Sequence, residues 1–388
     1  MPKLSTRLDG FTESVIRKMT RISNKYGAIN LSQGFPDFDP PKEITDRLKT
    51  VADEGPHQYS VTWGAQNFRE SLAKKQEKFM GISINPNENI VVTCGSTEAM
   101  MTSMMSVCNP GDKVIVFSPF YENYTADTIL SGSEPIYVQL KPPAFEFDKN
   151  ELRAAFEQKP KALILCNPSN PTGKVFSKEE LQYIADLAVE FDTFIITDEV
   201  YEHMVYPPYK HTYIASLPGM FDRTISCSSL SKTYSITGWR LGYVIANKEV
   251  IEQCKKVHDF LTVGAAAPLQ ESAVVGLNFD DSYYDELTEL YDSKRKFFLN
   301  GLDKIGLKYF EPQGAYYVMV DISQFGFDND YDFAVWLIKT IGVAGVPGSS
   351  FFREDVNNYI RFHFAKKEDT LKEALKRLEK LKDRKSVV

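Results

Sequence analysis

Cysteine and histidine are scarce in this chain, and neither is arranged for disulfide or metal chemistry. The five cysteines (Cys94, Cys108, Cys166, Cys227, Cys254) are odd in number, widely spaced and without a C-x-x-C pair. Four of them sit in or beside apolar runs, so buried free thiols and a reducing, cytoplasmic setting are expected. The five histidines (His57, His203, His211, His258, His363) stand singly, and none has zinc-ligand spacing, so no metal is expected. No apolar run approaches the roughly 18 residues that cross a bilayer. The N-terminal MPKLSTRLDG also lacks the apolar core of a secretory signal. Positive charge is in deficit: 45 Lys and Arg against 52 Asp and Glu leave a net charge of −7. Such a surface argues against nucleic acid, which needs a positive field, but leaves room for a local cationic site for a small anion. A Walker-type lysine motif and a Ser-His-Asp order are missing too.

What is present is an ordinary globular composition over 388 residues, 43% hydrophobic and 25% charged. That length accommodates two domains of roughly 150 residues each. Seven short apolar runs organise the middle of the chain: 90–93, 113–117, 135–140, 162–166, 193–197, 224–227 and 241–246. Helical segments separate them. One, after residue 95, carries Met100, Met101, Met104 and Met105 at helical spacing, which reads as core filler. Another opens on a capping box, Ser177 with Glu180, and runs to about Glu190. Uniformly apolar strands alternating with helices predict an α/β fold: a mainly parallel seven-stranded sheet with helices on both faces. After about residue 275 the pattern becomes α+β, with amphipathic helices near 284–302, 332–341 and 368–383 and strands near 315–320 and 358–364. The expected division is a large domain, 46–280, and a small one made of 1–45 and 281–388.

Five polar clusters, CGST, SPFY, NPSNPTG, DEVY and SSLSK, each follow the carboxyl end of an apolar run. In an open parallel sheet those ends share one edge, where ligands bind. Residues distant in sequence therefore converge on one crevice. Collected there are a lysine amine (Lys232), a carboxylate at a buried strand end (Asp198), hydroxyls (Ser96, Thr97, Ser229, Ser231), Arg240, Tyr121 and Tyr201. Hydroxyls, helix-start N–H groups and an arginine cradle a phosphate. A buried carboxylate wants a cationic partner, and a lysine amine wants a carbonyl for a Schiff base. Pyridoxal 5′-phosphate has the phosphate, the protonatable ring nitrogen and the aldehyde.

The motifs QGFPDF, NPSNPTG, DEVY, SLSKTYSITGWRLG and YIRF, in this order over nearly the whole chain, resemble the class I/II aminotransferases of fold type I, the aspartate aminotransferase superfamily. The resemblance implies a pyridoxal-phosphate enzyme passing an amino group between an amino acid and a 2-oxo acid such as 2-oxoglutarate. It implies that Lys232 forms the Schiff base and moves the proton, that Asp198 pairs with the ring nitrogen, and that Tyr201 and Asn170 bond the ring hydroxyl. Tyr121 would stack on the ring. Ser96, Thr97 and Gly95 at a helix start, with Ser229 and Arg240, would hold the phosphate. Tyr59 would reach the phosphate of a neighbouring subunit, implying a homodimer with shared sites. Arg361 would fork the substrate α-carboxylate, with the backbone of Gly34 and the side chain of Asn170 nearby. Ser231 reads as space-filling and Trp239 as packing.

No arginine or lysine in these motifs marks a clamp for a second carboxylate, which argues against strict aspartate specificity. The aromatic residues Phe35, Phe38, Tyr59 and Trp63 favour bulky or apolar side chains. QGFPDF and DEVYEHMVY look most like the kynurenine/glutamine and methionine/aromatic branch. An aspartate aminotransferase and a carbon–sulfur β-lyase are the alternatives on the same scaffold. A transcription regulator with an aminotransferase-like domain would carry a winged helix ahead of the first cofactor-side motif, which here comes by Gly34.

Overall fold

The structure is a computed structural model describing residues 2–9 and 11–382. All seven apolar runs are strands of one sheet. In spatial order they are Ile90–Thr93, Gly242–Ile245, Thr224–Ser229, Phe194–Asp198, Ala162–Cys166, Lys113–Ser118 and Glu134–Lys141. The sheet has eight strands, not seven. Glu146–Phe147 adds an antiparallel edge to Glu134–Lys141, and two residues are too few to register as an apolar run. Five neighbouring strands, from Thr224–Ser229 to Glu134–Lys141, are parallel. Gly242–Ile245 runs against both of its neighbours, so Ile90–Thr93 points the same way as the parallel set.

The strands are apolar throughout because both faces are covered. Side chains alternate along a strand. Ile115, Phe117, Leu163, Leu165 and Ile195 pack on one side, with the helices Lys149–Glu157 and Lys178–Glu190. Val114, Val116, Ala162, Ile164 and Ile196 pack on the other, with Ser96–Val107 and Lys248–Thr262. The capping box forms: Glu180 N–H donates to Ser177 Oγ at 3.1 Å and Ser177 N–H to Glu180 Oε2 at 2.8 Å. Of the four methionines, Met100 and Met104 are core. Met101 is half-buried and Met105 exposed, because one helix face of a two-layer contact cannot bury both pairs.

The rest of the chain forms a second, four-stranded sheet: Lys308–Phe310, Tyr317–Asp321, Tyr359–His363 and Val346–Pro347, all antiparallel. The helices Asp281–Ile305 and Glu368–Leu378 share its core with Met19 from the early helix Val15–Tyr26. The helix expected over 332–341 is Asp330–Trp336, continued by a π-helical Leu337–Ile341. The expected end of the last helix, Asp383, lies outside the described residues. A two-residue parallel ladder pairs Ile29–Asn30 with Val343–Ala344, and so delivers the QGFPDF segment to the junction of the two sheets. Among the described residues no helix is long and apolar enough to cross a membrane.

Candidate active site

A cavity of about 420 Å³ opens at the carboxyl edge of the large sheet. Lys232 lies in a single helical turn, Leu230–Thr233, directly after the strand Thr224–Ser229. Its Nζ donates to the Gly34 carbonyl at 3.2 Å and sits 5.9 Å from the Tyr316 ring centre. Burial pushes its pKa down to about 8, against the pull of Asp198 and with help from Arg240 and Arg361. Asp198 ends the strand Phe194–Asp198 and is buried. Tyr124 Oη donates to its Oδ2 at 2.8 Å and Val200 N–H to its Oδ1 at 3.4 Å. Burial raises its pKa, and Tyr124, Val200 and Lys232 oppose that rise. A carboxylate held this way favours a cationic partner above it.

Arg361 is fully buried on the strand Tyr359–His363. Nη1 donates to Asn170 Oδ1 at 2.6 Å and Nη2 to the Ser32 carbonyl at 2.9 Å. The guanidinium lies between the rings of Tyr317 and Phe351, at 4.2 and 4.5 Å. Its Nε is buried without a hydrogen-bond partner. Tyr201 Oη shares a 2.9 Å hydrogen bond with Tyr317 Oη. Gly34 has no room for a side chain: a Cβ would stand 2.1 Å from Tyr317 Oη.

A second group of donors faces the same space. Ser96 and Thr97 open the helix Ser96–Val107, capped by Gly95 at φ 88°. A Cβ on Gly95 would meet Arg240 Nη2 at 2.3 Å, so the absence of a side chain lets the guanidinium approach the helix start. Arg240 adopts a left-handed backbone, φ 55°, and donates through Nη1 to the Thr237 carbonyl at 2.9 Å. Ser229 is the N-cap of the lysine turn, accepting from Ser231 N–H at 3.4 Å. Hydroxyls, N–H groups and a guanidinium clustered at a helix start are a donor set for a phosphate. With one amine of lowered pKa and one buried carboxylate alongside, the residues present fit pyridoxal phosphate.

Gly34, Ser96, Thr97, Tyr121, Asn170, Asp198, Tyr201, Ser229, Lys232, Arg240 and Arg361 all line this cavity. Gly95 borders it through Arg240. Tyr59 does not reach it and is 87% exposed. Of the four aromatics expected around the substrate, Phe35 alone lines the cavity. Phe38 packs on Tyr291, and Trp63 faces Lys255. Ser231 lines the cavity as well, and Trp239 packs against the core beneath. Sequence reasoning passed over Tyr124 and Tyr317. Tyr121 precedes the helix Asn123–Leu130 that carries Tyr124, so no helical period ties the two. It also passed over Ser14, Ile16 and Arg17 of the early helix and Glu122 opposite them. Among the described residues, no group of three His, Cys, Asp or Glu is placed to hold a metal ion.

Residues 26–378 match the family model for aminotransferase class I and II. The chain is 34% identical to kynurenine–oxoglutarate transaminase 3 of Bos taurus, over 95% of this chain and 88% of that one. It is 33% identical to the methionine aminotransferase of Escherichia coli, over 98% and 97%. The solved N-succinyldiaminopimelate aminotransferase of Mycobacterium tuberculosis superposes with a TM-score of 0.94 at 32% identity, covering 98% of this chain and all of that one. The chain belongs to the class I and II aminotransferases and is a pyridoxal-phosphate-dependent transaminase of fold type I.

Proposed function

We propose that the enzyme takes the amino group of an L-amino acid with an apolar, aromatic, methionine- or glutamine-type side chain and passes it to a 2-oxo acid such as 2-oxoglutarate. The observation that carries the chemistry is the Lys232 amine, its pKa lowered by burial, between the Asp198 carboxylate and the Arg361 guanidinium. The relatives that act on kynurenine and methionine support the substrate class.

Pyridoxal phosphate, when bound, supplies an electron sink. The residues do the rest. Ser96, Thr97, Ser229, Arg240 and the Gly95 turn would hold the phosphate. Asp198 would pair with the ring nitrogen and favour its protonated form, while Tyr124 holds the carboxylate. Tyr201 and Asn170 would bond the ring hydroxyl, and Tyr121 would cover a ring face. Arg361 binds the substrate α-carboxylate, with Gly34 beneath. That contact would orient the α-C–H toward Lys232 Nζ, the group placed to anchor the cofactor and to move the α-proton.

A homodimer and two domains, 46–280 and the remainder, complete this reading. Tyr59, Val61, Phe260, Leu261 and Val263 are exposed large apolar side chains. They lie on adjoining segments, since His258 Nε2 lies 3.0 Å from the Thr62 carbonyl and Gln270 Nε2 donates to Ser60 Oγ at 3.0 Å. A patch of this kind supports burial by a second subunit, with Tyr59 reaching that subunit's phosphate group. The five free thiols support a reducing cytoplasm.

The test is an amino-acid panel on the holoenzyme, followed by loss of its visible absorbance. Methionine, kynurenine, phenylalanine and glutamine are expected to convert the cofactor faster than aspartate, and aspartate preference would overturn the substrate class. Lys232→Ala is expected to abolish the borohydride-fixed link to the chain. A link persisting at this site would remove Lys232 from its role.

A further inference from the structure

Alongside Ser96 and Thr97 stands a buried pair of titratable groups that the reading above does not use. His258, on the helix Lys248–Thr262, is wholly buried. Glu98 lies in the first turn of the helix Ser96–Val107, one residue past Thr97. His258 Nδ1 is bonded to Glu98 Oε1, and His258 Nε2 lies 3.0 Å from the Thr62 carbonyl. The Cys94 N–H donates to Glu98 Oε2, and Thr262 Oγ1 donates to Oε1 at 3.1 Å. Burial pushes the Glu98 carboxyl up, but His258, the Cys94 N–H and the Thr262 hydroxyl outweigh it and hold it below the ordinary carboxylate range. Both ring nitrogens of His258 therefore face oxygens that only accept, a carboxylate and a carbonyl, so each carries a proton.

We propose that His258 is a positioning residue for the cofactor phosphate: it stands as an imidazolium that cancels the Glu98 charge at the start of the helix presenting Ser96 and Thr97. The inference rests on the assignment of those two residues to the phosphate. A carboxylate in the first turn of a helix draws on the same positive helix end that a phosphate uses. Left uncompensated, Glu98 would repel a phosphate there and compete for the Arg240 guanidinium, which reaches this turn at Gly95. Paired with His258, the same carboxylate becomes an anchor. Its hold on the Cys94 N–H fastens the turn that leads from the strand Ile90–Thr93 into the helix. The Nε2 bond carries the fastening on to Thr62, in the loop that follows Tyr59. One imidazolium thereby joins three segments while standing outside the cavity lining itself.

The experiment titrates the full-length chain, freed of cofactor, with pyridoxal phosphate and with pyridoxal, which lacks only the phosphate, and follows binding by visible absorbance. His258→Gln is expected to weaken pyridoxal phosphate about tenfold and to leave pyridoxal within about twofold of wild type. Adding Glu98→Gln removes the stranded charge, so the double variant is expected to regain most of the loss. A packing role predicts the reverse: both ligands weaken alike, and the double variant is the worse one. In wild type carrying isotope-labelled histidine, NMR at neutral pH is expected to show the His258 ring with both nitrogens protonated, its signals assigned by their loss in His258→Gln. Equal weakening of both ligands, no weakening of either, a double variant no better than His258→Gln, or a neutral His258 ring would overturn the proposal. Failure of the underlying reading looks different: Ser96→Ala with Thr97→Val would then spare the preference for pyridoxal phosphate over pyridoxal.

Discussion

Lys232 gives up its proton nearer neutral pH than an ordinary lysine because its surroundings disfavour the ammonium. Burial is the largest influence, and Arg240 and Arg361 act in the same direction. The nucleophile is the neutral amine. Lowering the pKa from 10.5 to about 8 therefore moves the onset of reactivity down the pH scale. Reconstitution of apo-protein with pyridoxal phosphate, followed as borohydride-fixable label, is expected to speed up through about pH 8 and level off above it. Asp198 pulls the other way, since a carboxylate favours a nearby ammonium. Asp198→Asn should move that inflection to lower pH, and a shift upward would contradict the electrostatics argued here. The cavity residues named by motif were legible because each follows a strand end or lies within a distinctive run. Tyr124, Tyr317, Arg17 and Glu122 were not. Each is an unremarkable residue type whose neighbour in space is far away in sequence, as Tyr317 is from Tyr201.

At the scale of elements, the turn after Asp198 is backed by a buried charged network. Lys75 Nζ lies 3.2 Å from Glu202 Oε1, with both side chains almost fully buried. Gln76 Nε2 and Tyr213 Oη complete the carboxylate's bonds at 3.0 and 2.7 Å. The helix Gln66–Met80 supplies Lys75 and Gln76. A long helix thus holds the segment that carries Asp198 and Tyr201. Removing one partner of such a pair leaves a buried charge uncompensated. Lys75→Ala is expected to cost about 3–5 kcal/mol in urea unfolding, whereas joint replacement of Lys75 and Glu202 by Met and Gln should cost clearly less. Equal losses would mean the charge pair itself contributes little beyond packing. The strands and the Ser177 cap were readable from local pattern, because apolar alternation and capping are properties of neighbouring residues. The Glu146–Phe147 strand was not, because two residues hold a strand only when a partner is already there.

For the whole molecule, the two sheets supply different chemistry to one cavity. The large sheet brings Lys232, Asp198, Ser229 and the Ser96–Thr97 helix start, and the small one brings Arg361 and Tyr317. The exposed apolar patch around Tyr59 and Phe260 belongs to this scale too. Phe260 is 91% exposed, so Phe260→Asp should leave the isolated fold intact by circular dichroism. Light scattering is expected to show a dimer for the wild type and a weakened one for the variant. Activity should fall with it, since Tyr59 of each subunit would no longer meet its neighbour's site. A dimer of undiminished strength would place the interface elsewhere.

By itself, the sequence determined the α/β alternation, the order of the strands along the chain and the shared edge on which five polar clusters must meet. Those features follow from hydrophobic period and from the geometry of parallel strands. It also determined the family, through motifs that recur in order across the chain. Tertiary structure alone decided which side chains close the cavity. The placement of the helix Val15–Tyr26, hence of Arg17, depends on Ile29–Asn30 pairing with Val343–Ala344, a contact across more than three hundred residues. No local pattern encodes such a pairing: its stability comes from backbone hydrogen bonds and packing that exist only once both sheets have formed.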